Sequence, residues 1–300
     1  MFTIEWQRAR NGKELLDLFE NANARNFENI EGYAYVKGFV LTLKNIMTWL
    51  KKCHKDEHDP TFTSWLIDQL TTVPGIMHHH FVSAFDKDVQ ISVRGLNFLI
   101  EENWLDDYSL VRISEYIDYR YGNPAAHSPV MIPYDCFQAW RNHVENPEHL
   151  SKGFECDWMK GVFEDGQDRK VFVFIYMDLH WGALCVDFKE RRVYFGDSLE
   201  RSFLEDARKS IARWLVHLGS DLTTWDRYVR RFNVPRQHNS GSCGVNAFNT
   251  IERALNGALT PWSNATSACH RIRVIQLMTG FNLVCICNVQ LRLIDGIKHL

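Results

Sequence analysis

The chain has 300 residues, of which 45% are hydrophobic and 24% charged, and its formal net charge at pH 7 is −3. This length and composition can supply one large buried core, or one core with an appendage, and they exclude a disordered chain. The nearly balanced charge argues against a general binder of nucleic acid or of membrane surfaces, so the expected partner is another protein or a peptide.

The N-terminal part of the sequence predicts helices. Residues 13–24 and 32–55 carry apolar side chains at helical spacing, and a short third helix is expected around residues 64–70. We therefore interpret residues 1–87 as an N-terminal helical extension, which could pack on a catalytic core or form a small separate docking module.

Two segments separate this extension from the most informative residues. Residues 104–107 spell Trp-Leu-Asp-Asp, and the apolar residues that follow as far as Ile117 predict a helix. Residues 121–129 contain Gly-Asn-Pro and Ser-Pro and predict a loop. The mixture of β-branched and apolar residues in the final segment, residues 281–294, does not distinguish a strand from a helix.

The middle of the chain predicts a strand hairpin. Residues 170–177, 182–188 and 192–195 are apolar and rich in β-branched and aromatic side chains, with a charged break between the last two. The midpoint between His180 and Asp197 falls on that break, so an antiparallel hairpin would bring these residues side by side. A carboxylate that accepts from one ring nitrogen orients the imidazole and leaves its other nitrogen for a thiol.

Cys243 lies in the small-residue turn Ser-Gly-Ser-Cys-Gly, which runs directly into a helical pattern over residues 245–255. The thiol is thus expected at a helix N-terminus, where the helix dipole and a neighbouring imidazolium favour the thiolate. The Cys243 amide and the side chain of Gln237, six residues upstream, are the expected donors to an oxyanion.

The remaining cysteines and histidines indicate neither disulfides nor a metal. Eight cysteines are present without a Cys-x-x-Cys pair, and the clusters at residues 78–80 and 53–58 lack a second half of a zinc site. We expect Cys185, Cys285 and Cys287 to be inert and buried, because they lie in apolar runs. The first eight residues carry no apolar signal core and no run is long enough to span a bilayer, so we expect an intracellular protein of the nucleus or cytoplasm.

Together these motifs resemble those of the Ulp/SENP family, cysteine proteases that process SUMO and related ubiquitin-like modifiers. His180-Trp181 and Asp197-Ser198 match the family's His-Trp and Asp-Ser pairs, and Gln237 stands six residues ahead of the nucleophile as in the family. Residues 104–107 are similar to its Trp-Leu-Asn-Asp segment. The resemblance spans roughly residues 88–290.

The resemblance implies an α+β fold with a papain-like core over residues 88–300, in which helices flank a central mixed sheet. It implies a thiol protease that cleaves after the Gly-Gly tail of a modifier, with SUMO as the first candidate, in precursors or conjugates, without a cofactor or metal. The implied catalytic residues are Cys243, His180, Asp197 and Gln237. The implied substrate-binding residues are Trp104, Asp107 and Trp181, with the two tryptophans as walls of a narrow tunnel.

The sequence departs from the family pattern twice and leaves alternatives open. Ser242 replaces the aspartate that usually precedes the nucleophile, and we expect its hydroxyl to cap the helix instead. Asp106 replaces an asparagine in the tunnel segment.

Alternative functions are protein acetylation from acetyl-CoA, for which arginines at 191–192, 227 and 230–231 could bind phosphates, and modifier binding without catalysis. The oligomeric state is left open.

Overall fold

The chain forms two compact units in the computed structural model, Met1–Asn103 with Ala268–Leu300, and Trp104–Ser267. The structure describes residues 11–21, 33–73, 76, 80–82, 90–121, 129–132, 169–200, 204–217, 220–239 and 241–279. No helix in this described part is long and apolar enough to span a bilayer. The predicted domain boundary at residues 87 and 88 stays a prediction.

The first unit contains the three predicted N-terminal helices, α1 (Gly12–Asn21), α2 (Tyr33–Lys55) and α3 (Pro60–Thr72). They pack against one another and bury one apolar face each. Helix α3 begins earlier than predicted because Asp59 caps it, with the Asp59 carboxylate accepting from the Phe62 amide, and Pro60 follows in the first turn.

Two short strands, a short helix and a late helix complete the first unit. Strand β1 (His80–Val82) pairs antiparallel with β2 (Gln90–Ser92), and helix α4 (Val93–Leu96) follows directly. Helix α8 (Ser267–Thr279) begins at the last residue of the second unit, and its other residues belong to the first. The chain therefore returns to its N-terminal unit near its end.

The second unit is built on a five-stranded mixed sheet. Its order is β3 (Val130–Ile132), β4 (Lys170–Met177), β5 (His180–Asp187), β6 (Arg192–Gly196) and β7 (Arg230–Arg231). The outer pairs β3–β4 and β6–β7 are parallel, and the inner pairs β4–β5 and β5–β6 are antiparallel. The predicted hairpin is confirmed as β5 and β6, with its turn at the charged break.

Helices cover this sheet and account for its nearly continuous apolar strands. Helix α6 (Leu204–His217) packs on alternate residues of β4, β5 and β6 through Ile211 and Trp214. Helix α7 (Cys243–Leu255) packs on β5 and meets the opposite side of β6, where Thr250 lies against Gly196. Every residue of β5 is buried, as expected of a strand covered on both faces. The predicted fold class, a mixed sheet flanked by helices, is confirmed.

Candidate active site

The imidazole of His180 lies against the carboxylate of Asp197. His180 is the first residue of β5, and Asp197 follows the last residue of β6. The distance from Nε2 of His180 to Oδ1 of Asp197 is 2.6 Å, and the two side chains are 1% and 5% exposed. A short contact between buried groups of this kind holds the ring in one orientation.

The hairpin register differs slightly from the predicted one. The strands pair Ala183 with Gly196 and Asp187 with Arg192, so continuing the register by one residue sets Asp197 opposite Gly182. His180 lies two residues from Gly182, on the same face of β5, and is reached diagonally. The contact was therefore predicted correctly, although the two residues are not direct cross-strand partners.

The turn before His180 fixes where β5 begins. Asp178 and Leu179 have φ values of 51° and 57°, and Met177 pairs with His180 across this two-residue connection. Two successive left-handed residues are typical of the tight hairpin turn whose twist matches that of the flanking strands. Consequently the imidazole projects from a fixed position at the end of the central strand.

Cys243 is the first residue of helix α7, as predicted, and its side chain is fully buried. The thiol interacts with the imidazole of His180 and helps to raise the pKa of that ring. Because Asp197 occupies Nε2, the Nδ1 atom is the ring nitrogen available to the sulfur. The structure thus joins thiol, imidazole and carboxylate in one line at a helix N-terminus, where the helix dipole favours negative charge.

The charge state of His180 is set by opposing effects. Burial by itself would lower the pKa of His180, but hydrogen bonds to Asp197 and Cys243, with the negative charge of these groups, outweigh burial and raise the pKa above its ordinary value of 6.5. The protonated ring is therefore stabilised beside the Asp197 carboxylate and the Cys243 side chain, which is the arrangement in which an imidazole can accept a proton from a thiol nucleophile.

The expectation that Ser242 caps helix α7 is wrong. Ser242 occupies the N-cap position but makes no side-chain capping bond, and its hydroxyl lies 3.3 Å from that of Ser267. The nucleophile turn is held instead by Asn239, whose Oδ1 accepts from the amides of Gly241 at 3.0 Å and Ser242 at 2.9 Å. The role of Asn239 was not predicted, although an asparagine ahead of a Ser-Gly-Ser turn is a typical acceptor for backbone amides two and three residues on.

Gln237 lies buried between two partners. The Ser198 hydroxyl donates to Oε1 of Gln237 at 2.5 Å, and Nε2 of Gln237 donates to the carbonyl of Asn239 at 2.6 Å. The backbone amide of Gln237 also donates to the Ser198 carbonyl at 3.0 Å. Ser198, the neighbour of Asp197, thus belongs to one hydrogen-bonded group with Gln237 and the turn that carries Cys243.

The Trp-Leu-Asp-Asp segment lies beside the nucleophile helix. Helix α5 (Asp107–Tyr121) follows it, and Asp106 caps this helix by accepting from the Ser109 amide at 2.9 Å. Aspartate and asparagine are equally good helix caps, so the departure at Asp106 preserves the local structure. Asp107 is exposed at the start of α5, and its carboxylate accepts from the Tyr108 amide at 3.0 Å.

The two tryptophans differ in their surroundings. Trp104 is half-buried, whereas Trp181 is 3% exposed and its ring centroid lies 4.7 Å from that of Tyr176. Leu105, next to Trp104, lies so close to Gly244 that a side chain there would touch it. Trp104 and Trp181 therefore flank the ends of elements that carry Cys243 and His180, and their part in substrate binding stays a prediction.

Replacing Gly244 by alanine is expected to lower both stability and activity. A Cβ atom at this position would stand 3.0 Å from Cβ and 3.1 Å from Cδ1 of Leu105. Overpacking of this kind costs about 1–3 kcal/mol, and Leu105 or the first turn of α7 must shift to relieve it. Thermal melting and peptidase assays should show a lower Tm and a lower kcat. Gly257→Ala is the matched control, because a Cβ there meets nothing within 4 Å; equal behaviour of the two variants would contradict the prediction.

The other described cysteines are not placed for this chemistry. Burial raises the pKa of Cys53 to about 12 and also raises the pKa of Cys185, which is buried as predicted. Cys269 is exposed, and its sulfur lies 3.3 Å from Nδ1 of His58. Among the residues that the structure describes, no three potential ligands converge on a metal position. Three segments named above for their sequence lie outside the described residues, namely residues 78–79, 122–128 and 281–294.

A buried thiol, imidazole and carboxylate at a helix N-terminus, beside a mixed sheet, define the class of papain-like cysteine peptidases. Residues 136–275 match the family model described as the Ulp1 protease family, C-terminal catalytic domain. This stretch, just under half of the chain, is therefore similar to the catalytic domain of that family. No curated protein sequence matches the chain significantly.

Solved structures share this fold at low sequence identity. The C-terminal Ulp1 protease domain in complex with Smt3, the yeast ortholog of SUMO, is 18% identical, with a TM-score of 0.52 over 68% of this chain and 90% of that one. The SUMO protease Ulp1 with its catalytic cysteine oxidised to a sulfenic acid is 18% identical, with a TM-score of 0.52 over 76% and 95%. The Ulp1-like SUMO protease catalytic domain of Chaetomium thermophilum is 16% identical, with a TM-score of 0.51 over 68% and 84%.

Proposed function

We propose that this peptidase cleaves the bond after the C-terminal Gly-Gly of a ubiquitin-like modifier, with SUMO as the first candidate. The observation that carries the proposal is the line formed by Cys243, His180 and Asp197 in a domain similar to that of the Ulp1 family. A relative with the same fold was solved in complex with a SUMO ortholog, which supports the choice of modifier.

The proposed reaction proceeds through a thioester. The Cys243 sulfur attacks the carbonyl carbon of the terminal glycine while His180 holds the thiol proton, and His180 then gives this proton to the departing amine. A water molecule, deprotonated by His180, attacks the thioester, and the modifier leaves with a free carboxylate while the thiol is restored. Asp197 orients the imidazole, and the Cys243 amide and Gln237 donate to the oxyanion.

The burial of the nucleophile supports a tail without side chains. Cys243 is 0% exposed, and Leu105 closes on the adjacent Gly244. A substrate can reach such a sulfur only through a narrow opening, which glycines pass and larger residues do not. Trp104 and Trp181 are the proposed walls of this opening, and Asp107 is the proposed polar contact at its entrance.

The test is a covalent adduct with modifiers that carry a C-terminal electrophile. SUMO, ubiquitin and other ubiquitin-like modifiers with a C-terminal vinyl sulfone would be incubated with the protein and resolved on a denaturing gel. We expect an adduct with SUMO that Cys243→Ala abolishes and Cys269→Ser leaves intact. An adduct with another modifier alone would replace SUMO in the proposal, and no adduct from folded protein would refute the proposal.

The acetyltransferase alternative gains no support from two of the basic residues that suggested it, Arg192 and Arg230. Arg230 and Arg192 both face Asp226, at 2.9 Å and 3.7 Å. Their charge is thus partly neutralised within the protein, which weakens any pocket for the phosphates of a cofactor. Protein acetylation from labelled acetyl-CoA would still be measured beside the adduct assay.

A further inference from the structure

We propose that Ser198 is a positioning residue that clamps the Gln237 amide in the orientation required of an oxyanion donor. The inference rests on the proposed peptidase function and assigns a role to the serine beside the catalytic acid. Ser198 and Gln237 are each 2% exposed, so water does not compete for the bond between them.

The two partners of Gln237 fix which way its amide faces. The Asn239 carbonyl can only accept a hydrogen bond, so the amide nitrogen of Gln237 must face it, at 2.6 Å. The amide oxygen then faces the Ser198 hydroxyl, which donates at 2.5 Å. A half-turn of the amide would set its oxygen against the carbonyl oxygen, so Ser198 and Asn239 together exclude that orientation.

This clamp leaves one donor for the reaction. The Gln237 nitrogen carries two hydrogens, and the Asn239 carbonyl takes one of them. The second hydrogen points away from that carbonyl in the plane of the amide, which is the direction left for a developing oxyanion. Without the Ser198 hydroxyl the amide could rotate about its last torsion and withdraw this hydrogen.

The backbone around Gln237 is held independently of the clamp. The Asn264 side chain accepts from the His238 amide at 3.0 Å and donates to the Arg236 carbonyl at 3.1 Å, on either side of Gln237. The Gln237 amide also donates to the carbonyl of Ser198, which any residue at position 198 retains. Removal of the Ser198 hydroxyl should therefore affect the side-chain amide more than the loop.

The kinetic test compares Ser198→Ala with Ser198→Thr, which restores a hydroxyl. We expect Ser198→Ala to lower kcat on a fluorogenic modifier substrate by about tenfold, less than the loss of an oxyanion donor itself, with KM within about twofold. Ser198→Thr should recover most of the loss. Ser114→Ala is the matched control, because Ser114 is equally buried and donates to the Leu110 carbonyl of its own helix at 2.8 Å.

A second measurement separates the effect of Ser198 on Gln237 from any effect on Cys243 and His180. The rate at which iodoacetamide alkylates Cys243, followed by mass spectrometry of its peptide in a Cys269→Ser background, reports on the thiol and imidazole without any oxyanion. We expect this rate to be unchanged in Ser198→Ala. An unchanged kcat, or a parallel fall of kcat and alkylation, would overturn the role assigned to Ser198.

The third measurement does not depend on turnover. In protein labelled with ¹⁵N-glutamine, the Nε2 protons of Gln237 should exchange slowly with solvent in the wild type and at least tenfold faster in Ser198→Ala. Equal exchange rates would refute the clamp even if the enzyme cleaves SUMO. Slow exchange in a protein that cleaves no modifier would refute the proposed function and leave the clamp standing.

Discussion

His180→Ala is expected to reduce kcat/KM on a modifier substrate by about 10⁴-fold or more. The substitution removes the group that holds the Cys243 proton and delivers it to the leaving amine. It also leaves the Asp197 carboxylate, 5% exposed, without the imidazole that lies 2.6 Å from it. Initial rates with a fluorogenic substrate measure the effect directly.

The matching control is His54→Ala in the first unit, where an exposed histidine bonds Thr63 at 3.1 Å. Its kcat/KM should stay within about twofold of the wild type, as is usual for exposed side chains away from the chemistry. Alkylation of Cys243 should also slow strongly in His180→Ala, because the thiolate loses its neighbouring cation. A folded His180→Ala protein that retains a tenth of the wild-type kcat/KM would contradict the catalytic role.

Asp197→Asn is expected to lower kcat/KM by about 10³-fold and to move the alkaline limb of its pH profile to lower pH. In the wild type, burial lowers the pKa of His180, but the hydrogen bonds and charges of Asp197 and Cys243 raise it by more, so the pKa lies above 6.5. Asparagine removes one of these charges and leaves the burial, so the pKa falls. The imidazolium is then lost at a lower pH.

The raised pKa of His180 also predicts how the stability of the fold depends on pH. A raised pKa means that the protonated ring stabilises the fold fully below 6.5, and that this contribution disappears as the pH rises through the raised value. The Tm difference between wild type and Asp197→Asn should therefore shrink with rising pH. Asp187→Asn is the control for a buried aspartate of the same hairpin, bonded to the Glu190 amide at 2.9 Å. An alkaline limb that shifts equally in both variants would show that Asp197 has no special effect on His180.

The hairpin could be predicted because its signals are local. Apolar strands on either side of a charged break predict a turn and an antiparallel pairing. The observed pairing is shifted by two residues from the predicted one, since composition does not show how many residues a turn consumes. The turn before His180 consists of the left-handed residues Asp178 and Leu179. Neither is a glycine or an asparagine, which would have indicated such a turn in the sequence.

The nucleophile turn shows where sequence patterns stop. The position of Cys243 at a helix start followed from the small residues before it and the helical spacing after it. Which side chain holds the turn did not follow, because Ser242 and Asn239 are both plausible acceptors for backbone amides. Only the backbone conformation decides that Asn239 takes this part and that Ser242 faces Ser267.

Local periodicity in the sequence also could not predict which segments make up the first unit. Its three N-terminal helices were predicted, but the return of the chain through most of α8 was not. The side chain of Gln276 in α8 donates to the Asp59 carboxylate at 2.5 Å, across more than two hundred residues of sequence. Contacts at such a separation leave no periodic signal in either segment.

The turn between β5 and β6 gives this enzyme an unusual sensitivity to insertions and deletions. Its tip at Lys189, Glu190 and Arg191 is exposed, as in surface turns that normally tolerate changes of length. Here a single added residue that shifted the pairing by one would turn the Asp197 side of β6 to the opposite face of the sheet. The strands would still pair, yet the acid would no longer face His180. The sequence of this turn can therefore change during evolution, but its length is constrained. The constraint comes from the contact between Asp197 and His180, which the residues of the turn do not make.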